Sequence, residues 1–141
     1  MSILYKTKAI ISGGREASIS LSDNTTVFNL SKPKELAGEG ADKGLNPEQL
    51  FAAGYGACFE GALHHLSKIN KIGFISNKIE TTVALGKNEA GLFLEVAMNV
   101  FFDSSVDQTV ALKLLEDTHN FCPYSKAVKS SIKVDIKAVF E

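Results

Sequence analysis

Residues 46–71 are the part of this chain that most constrains its fold. Asn46-Pro47-Glu48-Gln49 is a strong helix start. Asn46 can cap, Pro47 suits the first helical position, and Gln49 stands where a capping-box partner belongs. From Leu50 to Leu63 the predicted helix is apolar almost all round, which demands deep burial. The pattern runs to about Lys71 and ends near Gly73. Glycines at 54, 56 and 61 interrupt it. Each costs about 1 kcal/mol relative to alanine in a helix interior, so each needs a packing or functional reason.

The remaining elements read as strands and shorter helices. Ile3, Tyr5, Thr7, Ala9 and Ile11 alternate with Lys6 and Lys8, as in a strand. Gly13-Gly14 makes a turn, with Arg15 directly after it, and Ala17, Ile19 and Leu21 complete a hairpin. A short third strand covers 27–30, and 33–45 is loop. Ile79, Thr81, Val83 and Leu85 form another strand, followed by a turn at 86–91. Residues 92–102 are apolar on both faces, so that strand is covered on both sides or sits at an interface. Residues 104–107 cap a helix with the stripe Val106, Val110, Ala111, Leu114 and Leu115. Cys122-Pro123 opens a further helical turn, and Ile132, Val134, Ile136, Ala138 and Phe140 mark the last strand. The order β-β-β-α-β-β-α-α-β predicts an α+β fold with mostly antiparallel pairing.

The chain has 141 residues, 45% hydrophobic and 22% charged, which suits a single globular domain over 1–141. Such a length buries roughly 68% of the unfolded surface without staples. A net charge of −1, with no basic block, gives nucleic acid or an anionic membrane surface no electrostatic hold. No apolar run approaches the ~18 residues of a membrane span. Residues 1–6 lack a signal-peptide core, so the cytoplasm is expected. A permanent disulfide is disfavoured there, and thiols are inert, metal-bound or reversibly redox-active.

Only two cysteines are present, Cys58 and Cys122. Cys58 lies within the apolar helix, and Gly54, Tyr55, Gly61 and Ala62 are its helical neighbours. These mostly small residues leave a hollow where a ligand or another helix could approach. Cys122 precedes proline at a helix start, where free N–H groups and the helix dipole favour a thiolate. Both are also compatible with ordinary buried or capping thiols. His64, His65 and His119 raise a metal site as a rival. His65, however, lies two turns from Cys58, ~10.5 Å along the axis and too far to share one ion. No metal is expected.

A thiol with a pKa near ~8.5 needs a cation to become an effective nucleophile at neutral pH. Arg15 is the candidate, and Glu48 could hold it through a bidentate pair. Glu48 and Cys58 stand ~15 Å apart along an unbroken helix. One site using both requires either a break near Gly54-Tyr55-Gly56 or a second chain.

Four segments together resemble the organic hydroperoxide resistance branch of the Ohr/OsmC family of thiol peroxidases. They are Gly13-Gly14-Arg15, Asn46 through Tyr55, Ala57-Cys58-Phe59 and Cys122-Pro123-Tyr124-Ser125. The resemblance covers nearly the whole chain. It implies two three-stranded antiparallel sheets wrapped around central helices in an intertwined homodimer. It also implies a peroxidatic Cys58 that becomes a sulfenic acid, and a resolving Cys122 that closes an intramolecular disulfide. Arg15 would activate the thiolate and orient the peroxide, with Glu48 fixing Arg15. No bound cofactor is implied. Electrons would come from a dihydrolipoyl group, free or on a lipoylated protein. Phe51 and Phe59 suit an alkyl or fatty-acid hydroperoxide better than hydrogen peroxide. Lys126, Val128, Lys129, Ser130 and Ser131 depart from the family's usual continuation, which could alter reductant docking. The competing readings are an OsmC-type peroxidase with another peroxide preference, and a non-catalytic redox-sensing or hydrophobic-ligand protein on the same fold.

Overall fold

The computed structural model describes residues 1–22, 25–40, 42–73 and 78–141. Its contacts divide the chain into two compact units, Met1–Leu50 and Phe51–Glu141.

The first unit is built on a three-stranded antiparallel sheet of β1 (Ala9–Ser12), β2 (Ser18–Leu21) and β3 (Val27–Asn29), in that order. Gly13 and Gly14 both take positive φ, 79° and 66°. Only glycine adopts that region freely, so the pair sets the tight turn that presents Arg15. β1 is shorter than the alternation from Ile3 suggests. Its last pair is Ala9 with Leu21, and the Leu21 N–H already turns back to Thr26 O at 3.0 Å. Among the described residues, 1–8 pair with no strand, and Ile3, Leu4 and Tyr5 are exposed. The loop over 33–45 contains a short 3-10 turn at Lys34–Leu36, and residue 41 lies outside the described residues. A parallel bridge between Leu30 and Leu45 closes that loop.

α1 (Pro47–Ile69) starts as expected. The Asn46 N–H donates to Gln49 Oε1 and the Gln49 N–H to Asn46 Oδ1, both at 2.9 Å, a reciprocal capping box. The helix is unbroken through Gly54 and Gly56. Its end differs from the expectation. Lys71, at φ 53°, takes the left-handed position, while the Ile72 N–H reaches Ser67 O at 2.9 Å and the Lys71 N–H reaches Lys68 O at 3.2 Å. This is a Schellman cap with lysine where glycine usually stands, two residues before Gly73.

In the second unit β4 (Lys78–Asn88) and β5 (Gly91–Phe102) form a long antiparallel hairpin. Gly86, expected in the turn, sits inside β4 opposite Phe93. A Cβ there would come 2.4 Å from the Phe93 ring, so the glycine makes room for that aromatic. β6 (Lys133–Phe140) pairs with β5 in parallel, which corrects the expected antiparallel pairing in this sheet. The reason is the connection. Residues 103–132 cross over through α2 (Gln108–Phe121) and α3 (Pro123–Val128), so β6 runs the same way as β5. The core joins Tyr55, Phe59, Ala62 and Leu63 of α1 to Val96, Met98, Val100 and Phe102 of β5 and Ala111, Leu114 and Leu115 of α2. The other face of β5 leaves Phe93 and Ala97 exposed. Phe101 on that face lies under the Lys78 ammonium at 3.9 Å.

Candidate active site

The helix boundary at Cys122 begins with a proline. Pro123 excludes its predecessor from the helical region, and Cys122 accordingly takes ψ 125°. The residue closes α2 through its N–H on Thr118 O at 2.8 Å and opens α3 as its N-cap. Its thiol makes no capping hydrogen bond. The sulfur is wholly buried and directed at Cys58, with Sγ–Sγ 3.6 Å. Both cysteines are free thiols. A disulfide bond of ~2.05 Å needs an approach of only about 1.5 Å.

Burial pushes the Cys58 thiol above its ordinary pKa. A hydrogen bond from the Tyr124 backbone N–H opposes that, while the neighbouring Cys122 adds to it. The free N–H at the start of α3 thus serves Cys58, not the capping cysteine as expected. None of these three influences is a cation. Tyr124 also fills one side of the hollow beside the sulfur, since a Cβ on Gly54 would meet its hydroxyl at 3.3 Å. Gly61 has open space beside it.

Behind the sulfurs lies a polar cluster. The Tyr55 hydroxyl is 2.8 Å from Ser125 Oγ, which is 3.0 Å from His119 Nδ1. Tyr55 and Ser125 are wholly buried, and burial is the main cause of the raised Tyr55 pKa. Tyr55, Tyr124 and Ser125 stand within the quoted sequence motifs. Their joint placement depends on tertiary packing that spacing does not reveal.

Arg15 and Glu48, both in the first unit, make the bidentate pair. Arg15 Nη1 donates to Glu48 Oε2 at 2.9 Å and Nη2 to Oε1 at 2.8 Å. This pairing raises the arginine pKa and holds the Glu48 carboxyl below its usual range, against a smaller desolvation effect on each. Phe51 is half-buried and packs on Tyr55 with ring centroids 5.8 Å apart. Phe59 is a core residue with no exposed surface. One residue beyond Cys58 on a helix points ~100° away, in this case into the sheet.

The histidines take other partners. His65 stacks on Phe121 at 5.3 Å, His64 faces Glu60 at 3.9 Å, and His119 is in the cluster above. Among the described residues, no three His, Cys, Asp or Glu side chains gather where they could hold a metal ion. None of the helices there is long and apolar enough to cross a membrane.

A family model described as OsmC-like protein matches residues 40–137. Organic hydroperoxide resistance protein-like 2 of Staphylococcus saprophyticus is 43% identical, over 95% of this chain and 94% of its own. Among solved structures, the organic hydroperoxide resistance protein OhrB of Bacillus subtilis superposes with a TM-score of 0.86 at 37% identity, covering 97% of this chain and 100% of its own. An organic hydroperoxide resistance protein from Elizabethkingia anophelis, crystallised with thiocyanate bound, gives 0.88 at 35% identity with both chains fully covered. Family model, sequence and fold agree: the chain belongs to the Ohr/OsmC family, among its organic hydroperoxide resistance members.

Proposed function

We propose that this protein is a cysteine-based peroxidase that reduces organic hydroperoxides to alcohols in defence against oxidative stress. The observation that carries this reading is the pair of free thiols 3.6 Å apart, contributed by segments far apart in sequence. The relatives' names point to the class of peroxide. Cys58, as thiolate, attacks the distal peroxide oxygen. The O–O bond breaks, the alkoxide leaves and takes a proton, and the sulfur becomes a sulfenic acid. Cys122 then displaces that hydroxyl as water and closes the disulfide. A dihydrolipoyl dithiol restores both thiols by two exchanges, its own sulfurs becoming the disulfide. Such cycling suits a reducing compartment such as the cytoplasm.

In this reading Arg15, held by Glu48, supplies the cation that offsets the burial of Cys58. The continuity of α1 favours a second chain over a helix break, and in this reading the pair serves the Cys58 of a second copy. A homodimer is the corresponding assembly. Its support is the exposed apolar surface of residues 3–5 and of the outer face of β5.

Turnover of an alkyl hydroperoxide with dihydrolipoamide tests the assignment. Cys58→Ser abolishes it, and retained activity in that variant would remove the assignment. Cys122→Ser consumes one equivalent and then stalls or over-oxidises. Normal cycling there would remove the resolving role. A rate for hydrogen peroxide matching that for the alkyl hydroperoxide would favour the other peroxide preference.

A further inference from the structure

α3 has six residues, too few to be stable alone, so tertiary ties must hold it. Its one wholly buried polar side chain is Ser125, whose hydroxyl lies between Tyr55 of α1 and His119 of α2. Each hydroxyl carries a single proton, so the order of donation is restricted. If Tyr55 donates to Ser125 and Ser125 to His119 Nδ1, every group is satisfied. If His119 Nδ1 donates instead, Ser125 Oγ accepts from it and can also accept from Tyr55 or donate to it. In either case one of the two buried hydroxyl protons, that of Ser125 or that of Tyr55, has no further acceptor among the described residues. A buried unsatisfied donor is costly, so the first order is favoured, with His119 neutral and accepting through Nδ1. Burial and the Lys129 ammonium both push the His119 pKa down, in keeping with that state.

We infer that the Tyr55–Ser125–His119 chain is a positioning device that fastens α3 across α1 and α2 and so holds Cys122 against Cys58 for disulfide closure. This rests on the thiol-peroxidase reading above. In the step concerned the Cys122 sulfur attacks the Cys58 sulfur and an S–S bond forms. The S–O bond breaks, and the hydroxyl leaves with the thiol proton as water. Cys58 sulfur is reduced and Cys122 sulfur oxidised, with no external reagent. The competing fate of the sulfenic acid is oxidation by a second hydroperoxide to a sulfinic acid. Both products descend from the same intermediate. Their ratio therefore reports closure, independent of how fast that intermediate forms.

The test treats fully reduced protein with excess tert-butyl hydroperoxide and reads disulfide against sulfinic acid by intact mass. Tyr55→Phe and His119→Leu should each raise the sulfinic fraction relative to disulfide by about tenfold, the order expected for one lost buried hydrogen bond. His119→Asn, which keeps an acceptor near the Nδ1 position, should restore the wild-type ratio. Thermal unfolding of each variant identifies any that fail to fold, and Ser125→Ala is the substitute for such a variant. An unchanged ratio in folded Tyr55→Phe and His119→Leu overturns the inference, as does a His119→Asn ratio no better than that of His119→Leu. If the wild type yields neither disulfide nor sulfinic acid, the peroxidase reading falls and takes this inference with it.

Discussion

At Cys58, burial and the Cys122 thiol hold the proton on, while the Tyr124 N–H favours releasing it. A thiol so placed is a poor nucleophile at neutral pH without a further positive charge. Arg15→Gln therefore moves the pH midpoint of Cys58 alkylation by iodoacetamide upward and slows peroxide consumption by about 100-fold, the scale for losing one preorganised charge donor. An unchanged alkylation profile would remove Arg15 from the mechanism. The sign for Glu48 also follows from its lowered pKa. The pair contributes stability above the ordinary glutamate range and loses it as pH falls through the lowered value. Glu48→Gln should therefore flatten the acid limb of the stability curve, read by chemical unfolding against pH. The turn that presents Arg15 and the helix start that presents Glu48 were legible in the sequence because both are local features. Neither the Arg15–Glu48 pairing nor the 3.6 Å approach of the two sulfurs was readable from the residues alone, because chain separation says nothing of distance; both came as what the family resemblance implies.

Helix starts in this chain are more readable than helix ends or strand partners. Asn46 and Gln49 settle the start of α1 between themselves. At its end the sequence signal was Gly73, yet Lys71 takes the left-handed turn because Ile72 is drawn into the core. A lysine in that conformation is strained by about 1 kcal/mol. Lys71→Gly should therefore stabilise the protein by ~0.5–1 kcal/mol, seen as a higher urea midpoint with an unchanged m-value. A lower midpoint would show that the lysine side chain matters more than its backbone. The direction of β6 was illegible for a different reason. Its alternation fixes which face is inward, but the long crossover through α2 and α3 decides parallel against antiparallel. Gly86 misled because glycine commonly marks turns, whereas here it accommodates a cross-strand aromatic.

For the whole molecule, the sequence left two ways to bring Glu48 and Cys58 into one site; α1 is continuous, which favours the second chain proposed above. Sedimentation equilibrium should give twice the mass of one chain; a fully active species of single-chain mass would contradict this. Co-expression of Arg15→Gln with Cys58→Ser chains adds a test of site composition. With random pairing, half the dimers are mixed and each holds one intact site, so activity should return to about a quarter of wild type. No recovery in a demonstrated mixed dimer would place Arg15 and Cys58 of each site on the same chain. The most direct test of the central claim is one equivalent of an alkyl hydroperoxide added to the fully reduced protein, followed by thiol titration and peptide mass mapping. The prediction is one equivalent of alcohol, loss of both thiols, and a Cys58–Cys122 link within one chain. Two thiols still free after the peroxide has had time to react, or a link only between chains, would contradict it.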